Sequence, residues 1–174
     1  FFETYQRLYN MENVVYCDAV KGDYDVFMLL QGESPEELRH MADTRIEPLE
    51  GVRSVEFMEV SAPVLPNFLV NIIREAENAL EDDDPTAGNR DMSSRVCSYL
   101  LMEVQKEKLD KVYPALRLDE QVVYCDYTGG KYNLVLLATG CCFEDIDRLI
   151  SEKLNTMEGV VKVKEYPIVT LFEM

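Results

Sequence analysis

The sequence predicts an α+β fold made of two copies of one folding unit, and three observations support this fold class. A stretch that begins at Asn13, NVVYCDAVKGDYDVFMLLQG, recurs from Gln121 as QVVYCDYTGGKYNLVLLATG, 108 positions later. The same offset pairs Glu50-Gly51-Val52 with Glu158-Gly159-Val160. Helix-like and strand-like patterns follow in the same order in each copy. An ungapped register over roughly sixty residues indicates the internal duplication of one unit.

The second copy is the more complete one, and its pattern predicts the element order βαββαβ. Its predicted elements are a strand from Arg95 to Val104, a helix from Lys106 to Leu118, strands from Val122 to Tyr127 and from Tyr132 to Thr139, a helix from Phe143 to Met157, and a strand from Val160 to Phe172. Two glycines between Tyr127 and Lys131 predict a hairpin turn. Gly159 stands where a helix C-terminus favours a residue without a Cβ. This order is the ferredoxin-like arrangement.

The first copy has the same elements except the first strand. Its predicted elements are a helix from Phe1 to Tyr9, strands from Val14 to Val20 and from Tyr24 to Gln31, a helix from Ser34 to about Leu49, and a strand from Arg53 to Val60 that extends toward Pro63 and Pro66. Ser34-Pro35-Glu36-Glu37 predicts a helix start, because it combines an N-cap serine, a proline in the first turn and a capping-box glutamate. No counterpart of the first strand precedes Phe1, so we expect that strand to lie upstream or to have been lost.

The expected organisation has three parts. Residues 1–66 form the first ferredoxin-like repeat without its first strand, and residues 94–174 form the second repeat. Residues 67–93 connect them, with a helix from Asn67 to Glu81 followed by an acidic, polar linker.

The hairpin strands are apolar on both faces, which predicts how the copies pack. Val26–Leu30 and Leu134–Ala138 lack the alternation of a sheet with one wet face. Helices can cover one face only, so we expect two four-stranded sheets to pack sheet-to-sheet as a pseudo-dimeric α/β barrel with the helices outside. Two independent domains would instead expose apolar sheet faces.

Charge and cysteine content exclude several function classes. Seventeen basic and 33 acidic residues give a net charge of −16, which disfavours direct binding to nucleic acid or to a membrane. The five cysteines form no CxxC pair and His40 is the single histidine, so the sequence predicts no metal site and no cofactor. Cys17 and Cys125 occupy equivalent strand positions, which fits buried thiols in a reducing cytoplasm.

The turn and the segment after the second helix of the first copy carry a family resemblance. Val20-Lys-Gly-Asp-Tyr-Asp25 between two strands, followed by Leu49-Glu-Gly-Val52, resembles the effector-binding domain of the Lrp/AsnC transcriptional regulators. The resemblance implies a regulatory module that senses a small-molecule effector, an amino acid or a similar metabolite. It also implies that sheets pair into dimers and that dimers assemble further, so we expect a homo-oligomer of pseudo-dimers. Nothing in the chain reads as the helix-turn-helix that usually accompanies this domain.

The resemblance also implies the candidate ligand-binding residues. In the first copy these are Gly22, Tyr24 and Asp25, and in the second copy they are Gly130, Tyr132 and Asn133. A carboxylate such as that of Asp25 suits an α-ammonium group. The second copy departs from the family pattern, because it has Asn133 where the family has aspartate.

Two alternative functions stay open at the level of sequence. The first is an enzyme of the dimeric α/β barrel type, in which Asp18 and Asp126 beside the turns would act as acid and base. The second is a ligand-free assembly module whose partner holds the activity. The fold alone does not choose among these functions.

Overall fold

In a computed structural model of the chain, the structure describes residues 1–61 and 95–169. These residues form a mixed α+β protein with two compact units. Unit 1 comprises residues 1–59 together with 166–169, and unit 2 comprises residues 60–165. The predicted connecting helix from Asn67 and the acidic linker lie outside the described residues. No helix in the described part of the chain combines the length and apolar character needed to cross a bilayer.

Unit 1 is built on a hairpin covered by helices. Its elements are α1 (Phe2–Tyr9), β1 (Val14–Ala19), β2 (Val26–Leu30), α2 (Pro35–Met41) and a π-helical turn (Ala42–Ile46). The strands pair antiparallel, with Cys17 opposite Met28. The side-chain oxygen of Ser34 accepts a hydrogen bond from the backbone N–H of Glu37, which confirms the predicted start of α2.

Unit 2 contains all four strands of the predicted βαββαβ order, together with the short strand β3. Its elements are β3 (Val60–Ser61), β4 (Val96–Val104), a 3₁₀ turn (Lys106–Lys108), α3 (Leu109–Arg117), β5 (Val122–Thr128), β6 (Leu134–Gly140), α4 (Phe143–Arg148), a π-helical turn (Leu149–Lys153), a 3₁₀ turn (Leu154–Thr156) and β7 (Val160–Pro167), whose last two residues belong to unit 1. The five strands follow the order β3-β5-β6-β4-β7. The described strands therefore form sheets of two and five strands, and the expected two sheets of four strands were wrong.

Each unit has its own hydrophobic core between sheet and helices. The core of unit 1 is small and consists of Leu8, Cys17, Met41, Ala42 and Ile46. The core of unit 2 is larger and consists of Leu100, Met102, Val104, Val112, Tyr113, Leu116, Cys125, Leu134, Leu136, Ala138, Ile146, Leu149 and Leu154. Strand β4 contributes three of these side chains at alternating positions, as one face of a strand must. Strand β4 accounts for part of the difference in core size.

The closing strand predicted from Arg53 to Val60 is wrong over most of its length. Residues 52–59 have no strand conformation, and only Val60–Ser61 forms a short strand, β3. In the second copy the corresponding strand, β7, lies beside β4. Among the described residues, the first copy holds no counterpart of β4, and residues 52–59 form no ladder of hydrogen bonds with another strand.

The ends of the two closing segments pair at equivalent positions. Val60 lies opposite Thr128 within unit 2, and Val20 lies opposite Ile168 within unit 1. These two pairs are related by the same offset of 108 positions that relates the sequence copies. Two further backbone bonds hold residues 166–169 in unit 1, from Lys21 N–H to the Pro167 carbonyl (2.9 Å) and from Val169 N–H to the Ala19 carbonyl (2.9 Å).

Candidate functional site

The Gly22 turn is the first candidate site, and it joins β1 to β2. The backbone N–H of Val20 donates to the carbonyl of Asp25 (3.0 Å), which closes the turn. Gly22 has a φ of +150°, a conformation that favours glycine. The turn therefore forms because the chain has a residue without a Cβ at the position where the backbone reverses.

An aromatic cluster packs behind this turn. The ring of Tyr166 lies so close to Gly22 that a Cβ at that position would stand 2.8 Å from Cδ1 of the ring. Tyr166 is 1% exposed, and its ring centroid is 5.9 Å from that of Tyr24 and 4.9 Å from that of Phe27. Tyr24 is half-buried against this cluster. The predicted site residues Gly22 and Tyr24 thus share one buried aromatic contact, which places both in the structural support of the turn.

Asp25 differs from its two neighbours because its side chain is exposed to solvent. Its carboxylate makes no hydrogen bond and no ion pair with another described residue. A fixed backbone with an exposed carboxylate is chemically suited to receive an ammonium group or another hydrogen-bond donor. Among the predicted residues of the first copy, Asp25 is the one with a charged side chain exposed to solvent.

The Gly130 turn is the equivalent candidate site in the second copy, between β5 and β6. It is closed by the backbone N–H of Thr128, which donates to the carbonyl of Asn133 (3.0 Å), and by the Thr128 hydroxyl, which donates to the carbonyl of Tyr132 (2.7 Å). Gly130 has a φ of +114°. A Cβ at Gly130 would meet no atom within 4 Å, in contrast to the crowding at Gly22.

Asn133 ties the second turn to strand β4. Its side-chain oxygen accepts a hydrogen bond from the backbone N–H of Val104 (2.9 Å), and its side-chain amide donates to the Val104 carbonyl (2.7 Å). Its own backbone N–H donates to the carbonyl of Met102 (2.9 Å). The asparagine side chain is therefore committed to the backbone of a neighbouring strand, while the aspartate at the equivalent position of the first copy is not.

The aspartates next to the turns, Asp18 and Asp126, are both half-buried. Asp126 is half-buried and forms a hydrogen bond with Tyr124, and burial together with this bond raises the pKa of the Tyr124 phenol. Asp18 occupies the same strand position in the first copy and is half-buried. Cys17 and Cys125 are buried in the two cores as predicted, and burial raises the pKa of their thiols to about 11 and about 12.

A cavity of about 690 Å³ lies within unit 2, and sequence reasoning missed it. It is lined by the start of β4, the residues before β5, the end of β6, α4 and the π-helical turn that follows α4. The Gly130 turn is not part of its lining, because β5 and β6 each run from the cavity end of the sheet to the turn end. Its charged side chains come from four separate segments, so no local sequence motif predicts that they lie together.

Within the described ranges, no three histidine, cysteine, aspartate or glutamate residues cluster as ligands for a metal ion. His40 is exposed on α2. The exposed thiols of Cys141 and Cys142 lie between β6 and α4.

Comparison with known proteins gives two similarities. A transcriptional regulator from Neisseria meningitidis, crystallised as a complex with L-Met, shares 13% sequence identity at a TM-score of 0.42, over 59% of this chain and 69% of that protein. No curated protein matches the chain. The family model of the Lrp/AsnC ligand binding domain matches residues 3–68, a range that holds the Gly22 turn and the helices beside it. The first copy of the repeated unit is therefore similar in sequence, over nearly its whole length, to the Lrp/AsnC ligand binding domain.

Proposed function

We propose that the chain is a small-molecule sensing module in transcriptional regulation, and that its effector is an amino acid or a similar metabolite. The match of residues 3–68 to the Lrp/AsnC ligand binding domain is the observation that carries this proposal. The net charge of −16 supports a role in which another protein or domain contacts the DNA. A cytoplasmic location is part of the proposal, and catalysis is not.

We assign effector binding to the first turn, with Asp25 as the group that receives the ammonium of the effector. Asp25 supports this assignment because its carboxylate is exposed and uncommitted, next to a turn that Tyr166 holds in place. Asn133 is assigned a structural role, because both ends of its side-chain amide bond to the Val104 backbone. The two copies have then diverged, and one turn binds the effector while the other stabilises the sheet.

The internal pseudo-dimer and its further assembly are part of the same proposal. The reciprocal pairing of Val60 with Thr128 and of Val20 with Ile168 supports it, because each closing segment ends against the turn-side end of a strand in the other copy. A homo-oligomer of such pseudo-dimers is the expected state in solution, and native mass spectrometry would measure it.

The effector assignment is tested by thermal and urea unfolding with each of the twenty common amino acids. A ligand at 100 times its dissociation constant adds about 2.7 kcal/mol to the free energy of unfolding. Asp25→Asn removes the charge while keeping the shape, so the affinity for that amino acid should fall by roughly tenfold to a hundredfold, because a hydrogen bond to a charged group contributes about 1.5–3 kcal/mol.

Two controls distinguish a binding effect from a folding effect. Asp147→Asn removes an exposed carboxylate on α4 and should leave the affinity unchanged. Asn133→Ala should lower the free energy of unfolding of the ligand-free protein by about 1–3 kcal/mol, because two backbone groups of Val104 lose their partners. Stabilisation by none of the amino acids, or equal affinity in the Asp25→Asn variant, would refute the assignment.

A further inference from the structure

The open cavity in unit 2 is a candidate second ligand site, apart from either turn. Its volume of about 690 Å³ lies within the range of roughly 300–1,000 Å³ that small-molecule pockets occupy. Its lining spans Arg95 to Lys153, so the cavity belongs to unit 2 alone. Asp145 and the Cys142 carbonyl pack closely against Gly140 in the cavity wall. A Cβ at Gly140 would stand 2.8 Å from the Asp145 side chain and 2.9 Å from the Cys142 carbonyl.

The π-helical turn Leu149–Lys153 supplies one side of the cavity. A π-helical turn widens the helix by one residue per turn, which changes the direction of the side chains that follow, and such turns are frequent at functional sites. Leu149, Glu152 and Lys153 from this turn line the cavity. The first copy has a π-helical turn one residue beyond the equivalent position, at Ala42–Ile46, and it has Thr44 where the second copy has Glu152.

The cavity lining carries charges of both signs. The cations are Arg95, Arg148 and Lys153, and the carboxylates are Glu120, Asp145 and Glu152. Arg148 pairs with Asp145, and Lys153 pairs with the buried Asp119 behind the lining. The remaining three, Arg95, Glu120 and Glu152, form no ion pair with another described residue. One cation and two carboxylates are thus available to a molecule that enters the cavity.

The polar groups around these charges are held in place by the fold. The side-chain amide of Gln121 donates to the carbonyl of Thr139 (3.4 Å), and Thr139 is 2% exposed. Asp119 accepts the backbone N–H of Gln121 through Oδ1 (2.9 Å), while its Oδ2 contacts Lys153 as an ion pair but has no hydrogen bond of good geometry. The sheet side of the lining is therefore held by hydrogen bonds, and Lys153 is held by an ion pair.

We propose that this cavity binds a small zwitterionic molecule, with its carboxylate at Arg95 and its ammonium group at Glu120 and Glu152. A zwitterion satisfies both signs of the uncommitted charges, whereas a dianion or a diamine would leave one sign unmatched beside a like charge. The site stands independently of the effector assignment at Asp25, and a free amino acid is one member of the class that it would accept.

The test uses ¹⁵N-labelled full-length protein and backbone amide shifts, because amides near the cavity and near the turns report separately. The probes are an equimolar mixture of the twenty common amino acids, glutarate as a dianion and putrescine as a dication. We expect the mixture to change the chemical shifts of the Gly140 and Cys141 amides. The changes caused by glutarate or putrescine should be at least tenfold smaller. Glu120→Gln with Glu152→Gln, and separately Arg95→Gln, should abolish the shifts caused by the mixture.

The internal repeat supplies a matched control, since Glu12 is the counterpart of Glu120 in the first copy. Glu12→Gln should leave the shifts at Gly140 and Cys141 unchanged. Shifts confined to the amides of Gly22 and Tyr24 would overturn the cavity site and support the effector assignment at Asp25. Shifts confined to the amides of the cavity would support the cavity site and overturn the effector assignment. No shift at any amide would overturn both, and equal shifts with glutarate or putrescine would overturn the zwitterion.

Discussion

Gly22 is subject to two constraints, and Gly130 to only one. Both have a positive φ that residues with a Cβ rarely adopt, which costs such a residue about 1–3 kcal/mol. At Gly22 the ring of Tyr166 also occupies the space of a Cβ, while the space at Gly130 is open. Gly22→Ala should therefore lower the free energy of unfolding by more than about 2 kcal/mol, and Gly130→Ala by about 1 kcal/mol.

Gly129 is the control for this comparison. It has open space around its Cα and no positive φ, so Gly129→Ala should change the free energy of unfolding by less than about 0.5 kcal/mol. Urea unfolding of the three variants measures the series. An equal cost at Gly22 and Gly130 would mean that Tyr166 does not press against the first turn.

At the scale of elements, helix α2 depends on a cap that helix α4 lacks. Ser34 accepts a hydrogen bond from the Glu37 N–H, whereas Cys142 at the start of α4 makes no side-chain cap bond. Ser34→Ala should therefore cost about 1 kcal/mol of unfolding free energy, as a lost N-cap usually does. Cys142→Ala should cost much less, because no cap is removed.

Chemical denaturation of these two variants against the parent protein checks this prediction. The measurement isolates the cap, since Ser34 and Cys142 occupy equivalent positions at the offset of 108. Equal costs for the two variants, or a gain for Ser34→Ala, would contradict it.

Local patterns predicted the elements that local interactions determine. The hairpin strands, the helix starts and the positive φ of Gly159 follow from residue type and spacing, and each is present. The prediction of a strand from Arg53 was wrong over most of its length, because a strand needs a neighbouring strand and sequence periodicity does not reveal which neighbour is available. The π-helical turns were also missed, since they differ from an α-helix by one residue in a pattern of ordinary apolar spacing.

The candidate sites divide in the same way. The turns were predicted because their residues are contiguous in sequence. The role of Asn133 depends on Val104, and the packing of Gly22 depends on Tyr166, so each needs a distant residue that no motif links to it. The expected sheet-to-sheet packing of the copies stays a prediction.

At the scale of the whole molecule, each core holds a buried thiol, and the free energy of unfolding should therefore decrease at alkaline pH. The pKa values of Cys17 and Cys125 are raised by burial to about 11 and about 12, above the ordinary thiol value of about 8.5 in an unfolded chain. The unfolded chain loses these protons first. The thiols therefore stabilise the folded state fully below about pH 8.5, and this contribution is lost progressively as the pH rises toward 11.

Urea unfolding at intervals from pH 7.5 to pH 10.5 measures this effect, and the free energy of unfolding should decrease with pH. A Cys17→Ala, Cys125→Ala double variant should be less stable at pH 7.5 and should show a shallower decrease. The remaining decrease would come from buried tyrosines such as Tyr113, whose pKa burial raises to about 12. An unchanged slope in the double variant would contradict the attribution to the thiols.

The backbone bonds of residues 166–169 to the end of β1 also govern when unit 1 can form during synthesis. Tyr166, which packs against Gly22, follows the whole of unit 2 in the sequence and is therefore synthesised after it. The first turn therefore stays without its aromatic support while unit 2 is being made, and contacts so distant in sequence slow folding because a long loop must close first. Unit 2, from Val60 to Glu165, has all its strands earlier and is expected to fold first. The turn assigned to the effector is therefore expected to reach its final shape after unit 2 has folded.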